Sequence, residues 1–168
     1  MREISAGGVV IRHRDGAWWM AAIEPQNEAN RDDAQNSTNV SKRHKKRTLA
    51  LPKGLVDPGE KPPETALREV REETGLVADV ITKLSDIKYV YIRSWGDRER
   101  VFKIVSFYLM RYRSGRIDDV SQEMRIEVAQ ACWVRLDDAP KLLAYKGEKE
   151  MAKRALEYVA AHPELEQA

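Results

Sequence analysis

The chain has 168 residues, enough for one well-buried domain and too few for two full ones. Hydrophobic residues make up 42% and charged residues 33%, and 29 Lys and Arg stand against 27 Asp and Glu. Near-balanced charge argues against a global nucleic-acid or membrane binder, a single cysteine, Cys132, excludes an intrachain disulfide, and no apolar run approaches the ~18 residues of a membrane span. The opening "MREISAGGVVIRHRDG" lacks the apolar core of a signal peptide, so a cytoplasmic protein is expected.

In chain order, "ISAGGVVIRHRDGAWWMAAIE" predicts two strands around a turn at Asp15-Gly16. Residues 26–48 are almost devoid of apolar side chains and end in "KRHKKR" (Lys42 to Arg47), which predicts a polar insert loop. That basic run reads as a solvated loop tip or as an electrostatic funnel for polyphosphates. Without interleaved aromatics it makes a poor RNA-stacking platform. Order returns at "LALPKG", and a Gly/Pro loop then leads into a helix from about Pro63 to Thr74, capped by Gly75.

"VADVITKL" and "IKYVYIRSW" predict two strands, with a turn near Gly96-Asp97. "RVFKIVSFYLMRY" is the most β-like run of the chain, "SGRIDDVSQEMRIEV" is loop-like, and "AQACWVRL" is a further strand. "DDAPKLLAY" predicts a short helix capped by Asp137 or Asp138. From Glu148, Met151, Ala155, Tyr158 and Val159 mark an amphipathic helix that stops before Pro163. Strands mixed with two substantial helices predict an α/β (α+β) domain, a mixed sheet covered by helices.

The helix after "LPKG" carries Glu69, Glu72 and Glu73 in "REVREE", while Ala66, Leu67 and Val70 supply a buried stripe. At i, i+3 and i+4 the three glutamates are expected to project together. Such a cluster is either a solvated acidic face, softened by Glu64–Arg68 and Arg68–Glu72 pairs, or a site for a hard divalent cation with open positions for phosphate.

The whole segment fits G-x5-E-x7-R-E-U-x-E-E-x-G-U, with U a bulky aliphatic residue: Gly54, Glu60, Arg68-Glu69, Val70, Glu72-Glu73, Gly75 and Leu76. This closely resembles the signature box of the Nudix hydrolases. The resemblance implies a single domain over residues 1–168, an α/β/α sandwich around a mixed sheet, with the insert at 26–48 foreign to it. It further implies hydrolysis of a diphosphate linked to another group, with Mg²⁺ or Mn²⁺ as cofactor. By the same resemblance Glu72 and Glu73 ligate metal, Glu69 ligates metal or its water, and the carbonyl near Lys53 or Gly54 adds a ligand. Arg68 orients the glutamates, and Glu60 supports the loop, with a metal contact open to it. The general base is a box glutamate or one on a later loop, Glu127 first and Glu123 second.

"SAGGVVI", "LPKG" and "FYLMRY" together resemble the branch that cleaves dinucleoside polyphosphates, such as diadenosine tetra- to hexaphosphates. Lys53 is then expected near the phosphates. Lys103 shares a strand face with Val101, Val105, Phe107 and Leu109, and either snorkels to the sheet edge or reaches a polyphosphate. Tyr89, Tyr91, Trp95 and Tyr145 are aromatics available to stack a base, with packing as the alternative. Trp18, Trp19, Trp133 and Cys132 read as core. Two other readings stay open: a different Nudix specificity (nucleotide-pool, ADP-ribose, RNA 5′-end or inositol pyrophosphate) and a non-catalytic nucleotide-binding module. The partner is a small-molecule nucleotide or polyphosphate; neither membrane nor nucleic acid is expected, and the chain is a monomer or homodimer.

Overall fold

The computed structural model describes residues 1–26 and 47–167. The expected basic run therefore lies, but for Arg47, outside the described residues. Strands β1 (Arg2–Arg14) and β2 (Ala17–Pro25) form the expected hairpin, with Asp15 and Gly16 at φ of 52° and 75°. Positive φ at both central residues matches the right-handed twist of the paired strands. The remaining strands are β3 (Lys53–Leu55), β4 (Val77–Ile92), β5 (Arg100–Ser114) and β6 (Val128–Arg135). The helices are α1 (Pro62–Thr74), α2 (Ala139–Leu142) and α3 (Lys146–Ala161).

The six strands form one mixed sheet in the order β4-β5-β1-β2-β6, with β3 paired to β1. Among the described strands only β1 and β5 run parallel within it. Alternate residues of β1 feed opposite faces. Val9 and Ile11 join Phe107, Leu109, Met151 and Ala155 under α3, whereas Ala6 and Val10 join Ala66, Val70 and Met110 under α1. Period-2 alternation between two helix layers is the α/β/α sandwich that the sequence implied.

One feature of this sheet places the site. β1 pairs with β2 over Ile11–Arg14 but with β3 over Ser5–Gly7. Between them the chain at Leu49–Lys53 crosses: Ala50 exchanges two backbone hydrogen bonds with Ile23, and Gly8 N–H donates to the Pro52 carbonyl. The "LPKG" segment is thereby held in the sheet beside α1.

Several expectations need correction. The two strands predicted over Val77–Trp95 are one, β4, bent by register shifts at Val77/Ala78, Val80/Thr82 and Lys83/Ser85. Bulges keep a polar, irregular stretch in one strand by bending it rather than ending it. The last helix starts at Lys146, before Glu148, and Gly147 in its first turn lies against the Ile87 side chain. Asp138 occupies the cap of α2, yet no side-chain cap bond forms there. Trp18, Cys132 and Trp133 are half-buried and pack against the core from its edge, whereas Trp19, also half-buried, joins none of the core clusters.

Candidate active site

The turn Asp57–Lys61 and the first turns of α1 are built around one guanidinium. Arg68 donates to Glu60 through Nε (2.8 Å) and Nη2 (2.9 Å), to the Leu55 carbonyl (3.1 Å), to Glu69 (2.9 Å) and to Glu72 (3.2 Å). The anticipated Glu64–Arg68 pair is absent from this set; the fork of the guanidinium is already taken by Glu60. Glu60 also accepts from the Asp57 N–H (3.0 Å) and Thr65 Oγ1 (2.9 Å). Arg68, together with the Asp57 N–H, holds the Glu60 carboxyl down to about 2. Glu60 thus has its oxygens committed to the loop, and Arg68 ties that loop to two of the three box glutamates.

One turn later the environment inverts. Glu69 and Glu73 are 8% and 5% exposed, and each acts on the other's carboxyl. Burial first, then the neighbouring Glu69, pushes Glu73 up to about 9, against the pull of Lys53. Burial likewise raises Glu69, opposed by Arg68. Buried carboxyls that act on each other in this way favour protonation or a cation. The Glu69 carboxylate lies against Gly54, where any Cβ would collide with it, so only glycine permits this approach.

Glu72 does not join the pair. Its side chain is 43% exposed and turned to Arg68. At about 100° per residue, positions 69 and 73 sit about 40° apart on the helix, while 72 lies about 100° from 73. Among the described residues no three Asp, Glu, His or Cys side chains are gathered closely enough to hold a cation as they stand.

Glu73 faces a cleft of about 230 Å³ that also admits Gly54, Lys53, Lys103, Glu127 and Ser5. Lys103 reaches it from β5, half-buried, without a hydrogen-bond or ion-pair partner among the described residues. Glu127 reaches it from the end of the single-turn 3₁₀ helix Met124–Ile126; its exposed side chain adds to the charge that lifts Glu73. Glu123 precedes that turn and does not line the cleft. Ser5 was not anticipated. Its hydroxyl is 1% exposed and lacks any hydrogen-bond partner among the described residues, which is costly unless a ligand or water meets it.

A second cleft, about 560 Å³, opens on the other side of Lys53 and is lined by Tyr89, Tyr145, Ile87, Phe107 and Glu148. The Lys53 ammonium is 3.0 Å from Glu148 and 5.7 Å from the centre of the Tyr145 ring. Glu148 is 4% exposed and also accepts the Leu51 N–H at 2.5 Å. The sequence reading passed over it, although a glutamate in the apolar stripe with Met151, Ala152 and Ala155 was its signal. Tyr91 donates to Glu3 and Trp95 is exposed in the β4–β5 turn; neither lines this cleft.

Comparison with known proteins agrees with this architecture. The NUDIX domain family model matches residues 11–155. MutT4 of Mycobacterium tuberculosis (strain CDC 1551 / Oshkosh) is 35% identical over 161 residues, covering 95% of this chain but 56% of its own length. The asymmetrical bis(5′-nucleosyl)-tetraphosphatase of Mus musculus is 31% identical over 114 residues, 67% of this chain and 72% of the relative. Among solved structures, a C. elegans Ap4A hydrolase binary complex shares the fold with a TM-score of 0.64 at 20% identity, covering 95% of this chain and 98% of that one. The fold and the spacing of the box glutamates together match a single class of protein. The chain belongs to the Nudix hydrolase family. Members of that family generally need divalent metal ions, and no helix among the described residues is long and apolar enough to cross a membrane.

Proposed function

We propose that this hydrolase cleaves dinucleoside polyphosphates of the diadenosine tetra- to hexaphosphate type, with Mg²⁺ or Mn²⁺. The observation that carries the reading is the pair of clefts meeting at Lys53, one aromatic and one lined by carboxylates and lysines. A base stacks between Tyr89 and Tyr145, and the phosphate chain runs past Lys53 towards Lys103 and Glu73. Stacking on aromatic rings is worth ~1–3 kcal/mol per base, and the lysines neutralise successive phosphates. The similarity to the mouse tetraphosphatase supports the same substrate class.

The residues present fit a divalent ion. Glu69 and Glu73 offer hard oxygen donors that are buried and adjacent, and the Ser5 hydroxyl, without a hydrogen-bond partner among the described residues, lines the same cleft as Glu73. Glu69 and Glu73, with Glu72 and the Gly54 carbonyl, would hold the ion, while Glu60 keeps to its loop. When bound, such an ion polarises phosphate oxygens and lowers the pKa of a bound water. Arg68 fixes Glu69. Lys53, itself fixed by Glu148, binds phosphate together with Lys103. Glu127, at the rim, takes the proton of the attacking water as general base, and Glu123 has no part.

The test is a substrate panel with Mg²⁺ and with Mn²⁺ and product identification by mass spectrometry. Diadenosine polyphosphates should be cleaved with the highest kcat/KM, and Tyr145→Ala should raise KM for them about tenfold. Preferential cleavage of nucleoside triphosphates, ADP-ribose, inositol pyrophosphates or RNA 5′ ends, with dinucleotides untouched, would overturn the substrate assignment. A chain that binds nucleotides without cleaving any of them would be a binding module.

A further inference from the structure

On the α1 side of the sheet, beyond the helix, lies a groove of about 270 Å³ lined by Arg12, Arg14, Asp15, Trp19 and Trp133. Ala6 and Val10 of β1 pack under α1 with Ala66 and Val70. Arg12 and Arg14 continue the same face of the strand past the helix. Trp19 continues the face of Ala21, and Trp133 and Tyr112 pack onto the same cluster as Ala21 and Met110. The sheet end is therefore tiled with alternating guanidinium and aromatic side chains.

The tiling is ordered. The Arg12 guanidinium lies 4.4 Å from the Tyr112 ring centre, and Tyr112 meets Trp133 edge-on at 5.7 Å. Arg135 lies 5.6 Å from the Trp19 ring, whose Nε1 is fixed by the Arg14 carbonyl. Arg14 has Asp15 at 3.8 Å and Arg135 has Asp137 at 3.5 Å. Arg12 is different: it is half-buried and has neither an acid nor a hydrogen-bond acceptor among the described residues. Its guanidinium lies over Tyr112 and lines the groove, with no acceptor for its N–H donors among the described residues. A planar fork of donors is complementary to a phosphate, and two indoles beside it are complementary to a base.

We propose that this groove is a second, non-catalytic binding site for a nucleoside monophosphate, the phosphate on Arg12 and Arg14 and the base against Trp19 and Trp133. Its volume falls just below the ~300 Å³ at which small-molecule sites begin, which limits the occupant to one base and its phosphate. It is separate from the catalytic clefts and shares no lining residue with them. Gly54 pairs with Ala6, and Arg12 is six residues further along β1, ~20 Å at strand rise.

Isothermal titration of the metal-free protein with AMP, adenosine and inorganic phosphate tests this. AMP should bind one equivalent at least about tenfold more tightly than adenosine or phosphate alone. Arg12→Ala and Trp133→Ala should each weaken AMP about tenfold or more. Arg12→Lys, which keeps the charge but loses the fork, guards against a folding defect; with an unchanged melting temperature it should still bind at least severalfold less tightly. Absence of heat at millimolar AMP overturns the proposal. So does binding lost with Lys53 or Tyr145 rather than Arg12, or phosphate binding as tightly as AMP. Arg12→Ala and Arg12→Lys both binding as wild type would make the Arg12–Tyr112 stack purely structural and also overturn it.

Discussion

Glu60 and Glu73 belong to the same signature segment and have the same side chain, yet they experience opposite surroundings. Glu60 accepts four hydrogen bonds, from Arg68 twice, Thr65 and the Asp57 backbone, and is held down to about 2. Glu73 is 5% exposed, shares its site with Glu69, and is pushed up to about 9. The first region is complete without a ligand. The second is a concentration of buried negative charge that becomes favourable only when a proton or a cation enters. A scaffold satisfied at one end and unsatisfied at the other is how a stable fold carries a binding site.

That contrast can be broken most severely at Glu73. Glu73→Gln should lower kcat by on the order of 10²–10³. In metal-free buffer it should not lower the melting temperature, because it removes a like-charge neighbour from Glu69. A fold that collapsed on this change would show that Glu73 is structural.

Titration sharpens the comparison. Glu73 has a folded-state pKa above its unfolded value, so its stabilising protonation is fully present below the unfolded value near 4.5 and is lost as pH rises through about 9. Metal-free protein should lose stability across that window with a slope of up to ~1.4 kcal/mol per pH unit. Glu73→Gln should flatten the slope. Glu60 runs the other way: its folded-state pKa is depressed, so its contribution is present above the unfolded value and lost as pH falls towards about 2. Denaturant melts from pH 3 to 9 distinguish the two limbs.

Next in size is Arg68→Ala. It removes charge-assisted bonds to Glu60 and Glu69 from a partly exposed site, and should cost about 2 kcal/mol in urea unfolding. Glu148→Gln is milder. Leu51 N–H keeps a carbonyl acceptor while the Lys53 pair loses its charge, so about 1 kcal/mol of transition-state stabilisation should go, read as a severalfold fall in kcat/KM. Ser5→Ala is the smallest: the hydroxyl has no protein partner to lose, so stability should be unchanged or slightly raised. Any fall in kcat would assign the hydroxyl to a bound species.

Much of this was legible in the chain itself, wherever the determinant is local. Asp15-Gly16 needs positive φ at both residues and so marks the first turn, while Gly75, at φ 82°, ends α1 where the pattern requires it. The spacing put Glu69, Glu72 and Glu73 together on the helix, and the resemblance of the box tied Arg68 to them. What the spacing could not say is which carboxylates are buried. Glu69, Glu72 and Glu73 look equivalent in sequence, and only the packing of α1 over Gly54 and the crossing chain at Leu49–Lys53 separates two of them from the third. Similarly, β4 looked like two strands because bulge positions carry polar residues, and only pairing with β5 joins them.

The residues at the meeting of the clefts were beyond local reading for one physical reason. Burial and unmet hydrogen bonds are properties of neighbours, and these neighbours are remote: Glu148 and Lys53 lie 95 positions apart. Sequence by itself determined the helix, its C-terminal cap and its acidic residues, because those follow from periodicity and backbone stereochemistry, while the chemistry came from the resemblance of the box to the family's signature. Tertiary structure decided which glutamates are dry, what fixes Lys53, and that the Ser5 hydroxyl has no hydrogen-bond partner among the described residues. Desolvation and long-range charge are created only when distant segments pack together.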